Sequence, residues 1–357
     1  MTDEELDSGV SYLNPEESAV PAPPVQAPAP AAKSRGSGPA RTLLLGSSEH
    51  PVSASPSHPT VRGLIPGQMV ADRYRVERWL GAGGSAMVHE VTDLTTGEHL
   101  ALKVLAVPSA DASQIARFRQ EVEHARGLEH PNIVRVYDVG VDGDRHFITT
   151  ELLVGQDLKH RLMGPRPTLA ESLRWLTHAA AALEFAHGRG VLHRDVKPGN
   201  LFITKPGILK LMDFGLAKST HVPGVTAQGA VLGTPEYMAP EQISGAFPVS
   251  PATDLYSLGV VAYELFTGQL PFRHPQTVPL MFLHVQQPPT PPRTLSPGLP
   301  EPFERLVLKL MQKKPDDRYP SAAALRADLA RLWPLALPPK APSGPGFNVS
   351  GGGSPGR

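Results

Sequence analysis

The sequence contains no cysteine, no long apolar run and no excess of charge of either sign. A chain without cysteine forms no disulfide and no cysteine-bound metal site. The most apolar segment, residues 255–266, includes Glu264 and is shorter than the roughly 18 residues of a membrane span, so we expect a buried helix and no membrane span. Lys plus Arg and Asp plus Glu each total 34, so we expect no nucleic-acid partner. The acidic N-terminus lacks the apolar core of a secretory signal, which predicts a cytoplasmic protein.

Proline is abundant, at 40 residues, but it is concentrated near the two ends. Residues 1–69 are rich in Pro and Ala, and residues 334–357 are rich in Pro and Gly, without periodic apolar positions in either segment. Such segments cannot bury a core, so we predict two disordered tails whose removal costs no buried surface. One apolar island, Leu43–Leu45, is either a docking motif or part of a plain linker.

The residues between the tails, 72–333, have the pattern of one folded domain with two unlike halves. Residues 72–150 favour β-strands separated by turns and interrupted by one helix over 111–128, with Glu121 at the edge of its packed face. Residues 154–333 favour long amphipathic helices. This pattern predicts an α+β fold with a small β-rich lobe and a larger α-helical lobe. The cleft between the lobes is a natural ligand site.

A glycine-rich segment, LGAGGSAMVHEV at residues 80–91, raises the question of a phosphate-binding loop. It matches G-x-G-x-x-G-x-V at Gly81, Gly83 and Val88, but Ala86 replaces the third glycine. A strand rather than a helix follows, which argues against a dinucleotide-binding fold, and the chain contains no G-x-x-x-x-G-K-[ST] sequence. On this segment alone, a glycine-rich turn remains the alternative.

Further motifs follow in a fixed order: HRDVKPGN at 193–200, DFG at 213–215, GTPEYMAPE at 233–241 and TDLYSLGV at 253–260. Together with the glycine segment, this set resembles the eukaryotic-type protein kinase family, and most of all its bacterial members. The resemblance covers residues 72–333. It implies a two-lobed protein kinase fold, with a small lobe at about 72–150 and a large lobe at about 154–333.

The resemblance implies roles for the polar motif residues. Asp195 would accept the proton of the substrate hydroxyl, and Lys197 would neutralise the transferred phosphoryl group. Asn200 and Asp213 would hold Mg²⁺. The nucleotide phosphates would lie against Lys103, paired with Glu121, and beneath a loop formed by Leu80, Gly81, Ala82, Gly83, Gly84, Ser85, Ala86, Met87 and Val88.

The same resemblance places the adenine of ATP between the lobes. Val88 and Ala101 would cover the base, and Phe202 would lie below it. The hinge would contain Thr150 as gatekeeper, Glu151 and Leu153, and Asp157 would bond the ribose. Three further positions would be structural: His193 beneath Phe214, Asp254 bracing the catalytic loop, and Glu241 paired with Arg318.

The resemblance implies a Ser/Thr protein kinase that transfers the γ-phosphate of Mg-ATP to protein substrates, with Lys197 matching the Ser/Thr pattern. One alternative is a pseudokinase scaffold, which would lack Lys103, Asp195, Asn200 or Asp213. Another is a small-molecule phosphotransferase of related fold, which would lack a segment such as GTPEYMAPEQ. All of these residues are present. Activation by autophosphorylation would take place between two copies in a transient homodimer.

We expect Thr226, in the middle of the segment from Asp213 to Glu241, to be the activating autophosphorylation site. Phosphate there would form charge-assisted bonds to Arg194 and Lys218 and order the segment. Phosphosite mapping should find it modified in the active chain and unmodified in Asp195→Asn, and Thr226→Ala should lower the transfer rate. A fully active Thr226→Ala variant would mean that Thr226 is an ordinary solvated loop residue.

Overall fold

The computed structural model describes residues 63–83, 86–105, 126–143, 145–214 and 234–337. A small lobe, residues 63–151, is built on a β-sheet, and a large lobe, residues 155–337, is mainly helical. This arrangement confirms the predicted α+β fold with two unlike lobes. Most of the predicted helix over 111–128, including Glu121, lies outside the described residues. Thr226 also lies outside them.

The small lobe contains a six-stranded sheet in the order β1-β2-β3-β4-β6-β5, with every neighbouring pair antiparallel. Its strands are β1 (Met69–Val70), β2 (Tyr74–Gly83), β3 (Ala86–Asp93), β4 (His99–Leu105), β5 (Val136–Asp142) and β6 (Arg145–Glu151). The register sets Val88 opposite Lys103 and Ala101 opposite Thr150. Because directly opposed residues share a face, Val88 and Lys103 point to the same side of the sheet.

The other face of this sheet carries the small lobe's apolar core. Val91 lies opposite Leu100 and Val104 opposite Phe147, and both pairs are buried. Leu64 packs into the same cluster from the segment that precedes β1. The folded region therefore begins before the predicted limit of residue 72.

The large lobe is built around one helix that is buried almost along its whole length. Its helices are α1 (Leu158–Leu162), α2 (Leu169–His187), α3 (Pro240–Ser244), α4 (Pro251–Thr267), α5 (Thr277–Gln286), α6 (Pro292–Leu295), α7 (Glu301–Leu310) and α8 (Ala322–Ala336). Helix α4 is the central one, and it ends at Gly268, whose φ of 74° is the left-handed conformation that favours glycine. Helix α8 continues past the predicted limit of residue 333, through Pro334 to Ala336.

A second, three-stranded antiparallel sheet links the large lobe to the connection between the lobes. Its strands are β7 (Gly155–Asp157), β8 (Leu201–Thr204) and β9 (Leu209–Leu211). Strands β8 and β9 pair as an antiparallel hairpin. Ile133, ahead of β5, forms an isolated bridge to Leu211 of this sheet, and β5 itself begins at Val136.

A fully buried ion pair fixes the end of the GTPEYMAPE motif to the large lobe. Arg318 donates to the two carboxylate oxygens of Glu241 at 2.7 and 2.8 Å, and Thr253 donates to the same carboxylate at 2.8 Å. Both side chains of the ion pair are 0% exposed. This geometry confirms the predicted pairing. Loss of one partner would leave a buried charge uncompensated.

Helix length and hydropathy also bear on membrane insertion. None of the helices in the described ranges combines the length and the apolar character that a membrane span requires.

Leu64 and Ile65 are adjacent and similar in size, but their exposure differs: Leu64 is 6% exposed and Ile65 is 68% exposed. Truncation of the two side chains should therefore have unequal effects on stability. Leu64→Ala in the full chain should lower the free energy of unfolding by about 2–3 kcal/mol. Ile65→Ala, the matched control, should change it by less than about 0.5 kcal/mol. Urea denaturation measures both, and equal effects would show that the segment before β1 does not pack on the sheet as described.

Candidate active site

The buried carboxylate of Asp254, in α4, holds the start of the catalytic loop, residues 193–200. It accepts the backbone N–H of His193 at 2.9 Å and that of Arg194 at 2.6 Å. His187 Nε2 donates to the same carboxylate at 2.8 Å. Burial acts to raise the pKa of Asp254, but the bond from His187 and the other donors outweigh it and lower the pKa. The predicted bracing role of Asp254 is confirmed.

The His193 side chain is buried and neutral. Burial lowers its pKa, which keeps the imidazole uncharged at neutral pH. Its Nε2 donates to the Met212 carbonyl at 2.7 Å, Nδ1 accepts the Asp195 N–H at 3.2 Å, and its ring packs 4.7 Å from that of Phe214. These contacts confirm a packing role and connect the catalytic loop to the DFG motif.

Four polar side chains meet where the catalytic loop turns. Lys197 Nζ lies 2.8 Å from Asp195 Oδ2 and donates to Thr234 Oγ1 at 3.2 Å. Asn200 Nδ2 donates to the Asp195 carbonyl at 2.8 Å and to its Oδ2 at 3.0 Å. The Asp195 carboxylate is therefore oriented by an ammonium and an amide. A carboxylate held in this way can accept the proton of a hydroxyl.

The small lobe contributes a cation to the same cleft. Lys103 Nζ donates to Asp213 Oδ2 at 2.8 Å, and both side chains are partly exposed. The predicted partner Glu121 lies outside the described residues, so the Lys103–Glu121 pairing stays a prediction. Asp213 has a φ of 58°, a left-handed value that is uncommon for a residue with a side chain and is often found at functional sites.

An apolar cluster spans the two lobes at the predicted adenine position. Five of the predicted residues form it with Val134, and they are Leu80, Val88, Ala101, Leu153 and Phe202. Leu152 and Met212 pack against it. Met212 was not predicted at this site, although its position immediately before Asp213 could have indicated it. Apolar side chains from both lobes thus form a surface suited to a flat aromatic base.

The predicted hinge residues lie at the end of β6. Thr150 is opposite Ala101 across the sheet. The Glu151 carboxylate accepts from Lys210 Nζ at 2.7 Å and from the Arg135 N–H at 2.8 Å, which ties the hinge to β9. Leu153 follows within the apolar cluster.

Asp157, predicted to bond the ribose, caps α1 in this structure. Its Oδ1 accepts the His160 N–H at 2.8 Å, and His160 Nδ1 lies 2.8 Å from each of its oxygens. The carboxylate is buried and engaged with His160. A ribose contact at Asp157 stays a prediction, and it would require His160 to share the carboxylate.

Strands β2 and β3 pair antiparallel on the two sides of the glycine segment. Gly81 lies opposite Val88, Ala82 opposite Met87 and Gly83 opposite Ala86. The tip residues Gly84 and Ser85 lie outside the described residues. A strand does follow the glycines, so the arrangement differs from a dinucleotide-binding turn.

The residues predicted to hold Mg²⁺ offer the donors that this ion prefers. Asp213 supplies a carboxylate and Asn200 an amide oxygen, both hard ligands. No group of three or more His, Asp or Glu side chains placed to hold a metal occurs in the part of the chain that the structure describes. Two protein ligands suit an ion whose remaining coordination comes from phosphate and water.

Comparison with known proteins agrees with this geometry. A family model described as "protein kinase domain" matches residues 74–329. A probable serine/threonine-protein kinase of Clostridium acetobutylicum is 34% identical over 268 residues, which cover 74% of this chain and 41% of that protein. Serine/threonine-protein kinase PknB of Mycobacterium tuberculosis is 39% identical over 281 residues, which cover 76% of this chain and 45% of PknB. The chain thus spans less than half the length of these two relatives.

A solved structure shows the same architecture. The kinase domain of PknI from Mycobacterium tuberculosis superposes with a TM-score of 0.61 at 29% sequence identity, covering 76% of this chain and 99% of that one. The predicted two-lobed protein kinase fold is therefore confirmed.

Gly155, at the start of β7, lies close to Phe202 of the apolar cluster, so a larger residue there should disturb the cluster. A Cβ at this position would lie 2.0 Å from the Ile203 carbonyl oxygen and 2.9 Å from the Phe202 ring. Gly155→Ala should displace Phe202 and weaken binding of an adenine nucleotide by about tenfold or more, since a core overpacked by one methyl shifts its neighbours. Titration with a fluorescent ATP analogue measures the effect.

Gly298→Ala is the matched control, because a Cβ there meets no atom within 4 Å. It should bind the analogue as the unmodified chain does. If Gly155→Ala also binds normally, the close approach of β7 to β8 is not what positions Phe202.

Proposed function

The chain belongs to the protein kinase domain family, and from this premise we propose that it transfers the γ-phosphate of Mg-ATP to serine and threonine hydroxyls of protein substrates. The observation that carries the proposal is a pair of polar contacts beside an apolar cluster formed by both lobes. Lys103 bonds Asp213 and Asn200 bonds Asp195, and the Met212 N–H, next to Asp213, bonds the Asn200 carbonyl. The first two curated relatives carry the name serine/threonine-protein kinase, which supports the same activity.

The proposed mechanism relies on positioning and charge. Asp195, held by Lys197 and Asn200, orients the substrate hydroxyl for in-line attack and accepts its proton. Lys197, also bonded to Thr234, carries a positive charge beside the transferred group. Preoriented charges of this kind stabilise the transition state without having to reorganise during the reaction.

Nucleotide binding is divided between the two lobes. The apolar cluster of Leu80, Val88, Ala101, Leu153 and Phe202 would enclose the adenine. Lys103 would hold the phosphates from the small-lobe side. Asn200 and Asp213 fit Mg²⁺, which when bound would neutralise charge on the phosphate oxygens.

Two alternative functions fit the site less well. A pseudokinase would lack part of the polar set, whereas Lys103, Asp195, Asn200 and Asp213 are all present and lie at one cleft. A small-molecule phosphotransferase would not need the extended segment that ends at Glu241, which packs on the large lobe through its ion pair with Arg318 and through the Tyr237–Glu264 hydrogen bond of 2.6 Å. Autophosphorylation within a transient homodimer and a cytoplasmic location stay predictions from the sequence.

The test is phosphate transfer from γ-labelled ATP, with and without Mg²⁺, in variants of the two central residues. Lys103→Met and Asp195→Asn should each lower the transfer rate about 100-fold or more, because each removes a positioned charge from the reacting groups. Chelation of Mg²⁺ should abolish transfer by the unmodified chain. Casein and the chain itself serve as acceptors.

Lys314→Met and Asp316→Asn make the same chemical changes at exposed positions and should leave the rate unchanged. Circular dichroism should show that all four variants are folded. Near-normal transfer by folded Lys103→Met or Asp195→Asn would refute the proposed activity.

A further inference from the structure

Gln242, the third residue of helix α3, connects the end of the GTPEYMAPE motif to the catalytic loop. Its Nε2 donates to the carbonyl of Arg194 at 2.9 Å. Its Oε1 accepts the N–H of Ala239 at 3.1 Å, at the start of the same helix. The side-chain amide therefore uses both of its polar ends, and it joins two segments that are 48 residues apart in the chain.

The carbonyl that Gln242 holds belongs to a residue with an unfavourable backbone conformation. Arg194 has a φ of 63°, in the left-handed region that residues with a side chain rarely adopt. Such a conformation persists where surrounding contacts over-determine it. On one side the Asp254 carboxylate accepts the Arg194 N–H at 2.6 Å, and on the other side Gln242 binds the Arg194 carbonyl.

The peptide group held by Gln242 is the one that joins Arg194 to Asp195. The orientation of this group sets the direction in which the Asp195 carboxylate leaves the backbone, and small errors of direction are costly for proton transfer and in-line attack. The contacts of Lys103 and of the apolar cluster involve other segments of the chain. Gln242 therefore acts on the catalytic aspartate without acting on the nucleotide surfaces.

We propose that Gln242 is a positioning residue for phosphoryl transfer, a role that rests on the kinase activity proposed above. Its amide keeps Arg194 in the left-handed conformation and so aims Asp195. Because Ala239 lies at the end of the segment from Asp213 to Glu241 and Gln242 directly follows it, the catalytic loop is correctly positioned only when that end of the segment is folded against it.

The Gln242→Glu variant separates this role from simple capping of α3. In Gln242→Glu, a carboxylate oxygen still accepts the Ala239 N–H, and a negative charge near a helix N-terminus is favourable. The carboxylate has no N–H to donate, so an oxygen faces the Arg194 carbonyl oxygen. The positioning role predicts a tenfold or greater fall in kcat with an unchanged KM for ATP, whereas a capping role alone predicts unchanged kcat.

The measurement is the initial rate of transfer from γ-labelled ATP to casein by the full chain. Each rate is divided by the concentration of sites that bind a fluorescent ATP analogue, so that unfolded protein does not contribute. Gln312→Glu is the matched control, because Gln312 also donates its side-chain amide to a backbone carbonyl, that of Leu308, at 3.1 Å on an exposed surface. It should have the kcat of the unmodified chain.

Three outcomes are distinguishable. A fall in kcat confined to Gln242→Glu, with KM for ATP and analogue binding unchanged, supports the proposal. Equal kcat values for Gln242→Glu and Gln312→Glu overturn it and leave the kinase activity intact. A chain that transfers no phosphate even when unmodified overturns the proposed function, and the role of Gln242 with it.

Discussion

The catalytic loop depends on one buried charge, the carboxylate of Asp254. An ionised group with 1% exposure is unfavourable unless donors replace its water, and here two backbone N–H groups and His187 do so. These donors belong to α2 and to the start of the catalytic loop. Because an unsatisfied buried charge is costly, the loop, α2 and α4 are held in a single arrangement. Helix α4 thereby fixes the position of the catalytic loop.

A second buried charge pair connects this framework to the segment that follows the site. Glu241 and Arg318 are both inaccessible to solvent, and Arg318 also donates to the carbonyls of Ala252, Gln312 and Lys313. Buried pairs add little net stability but are costly to break, so they serve to exclude other arrangements. Helix α3 is thereby fixed to α4, which places Gln242 within reach of the Arg194 carbonyl.

The parts of the site that could be predicted from the sequence are those carried by motifs of fixed spacing. Asp195, Asn200 and Asp213 lie within such motifs, and in the structure Asn200 bonds Asp195 while Asp213 bonds Lys103. The role of Gln242 could not be predicted in this way, because it depends on a contact across 48 residues and on a backbone angle at Arg194. The contact of Asp157 with His160 could not be predicted from the motif position either, and the ribose contact of Asp157 stays a prediction.

The limits of the folded domain also include features that the sequence predicts and features that it does not. Composition distinguishes proline-rich ends from a patterned centre, but it does not reveal that a single leucine, Leu64, packs onto the sheet from before β1. One apolar residue has no periodicity, and burial of such a residue is decided by tertiary packing. At the other end, Pro334 suggests a helix stop, yet α8 continues through it because Leu332 and Ala336 are buried against the large-lobe core.

The contact between Lys103 and Asp213 has a consequence for how nucleotide and metal bind. The two side chains are 2.8 Å apart, so each satisfies the charge of the other. A phosphate that binds Lys103 must compete with Asp213, and a cation that binds Asp213 must compete with Lys103. If phosphate and Mg²⁺ bound together, both side chains would exchange one partner of opposite charge for another, and neither charge would be left unpaired. Each ligand would then remove the competitor of the other, which would couple metal binding to nucleotide binding at these two side chains.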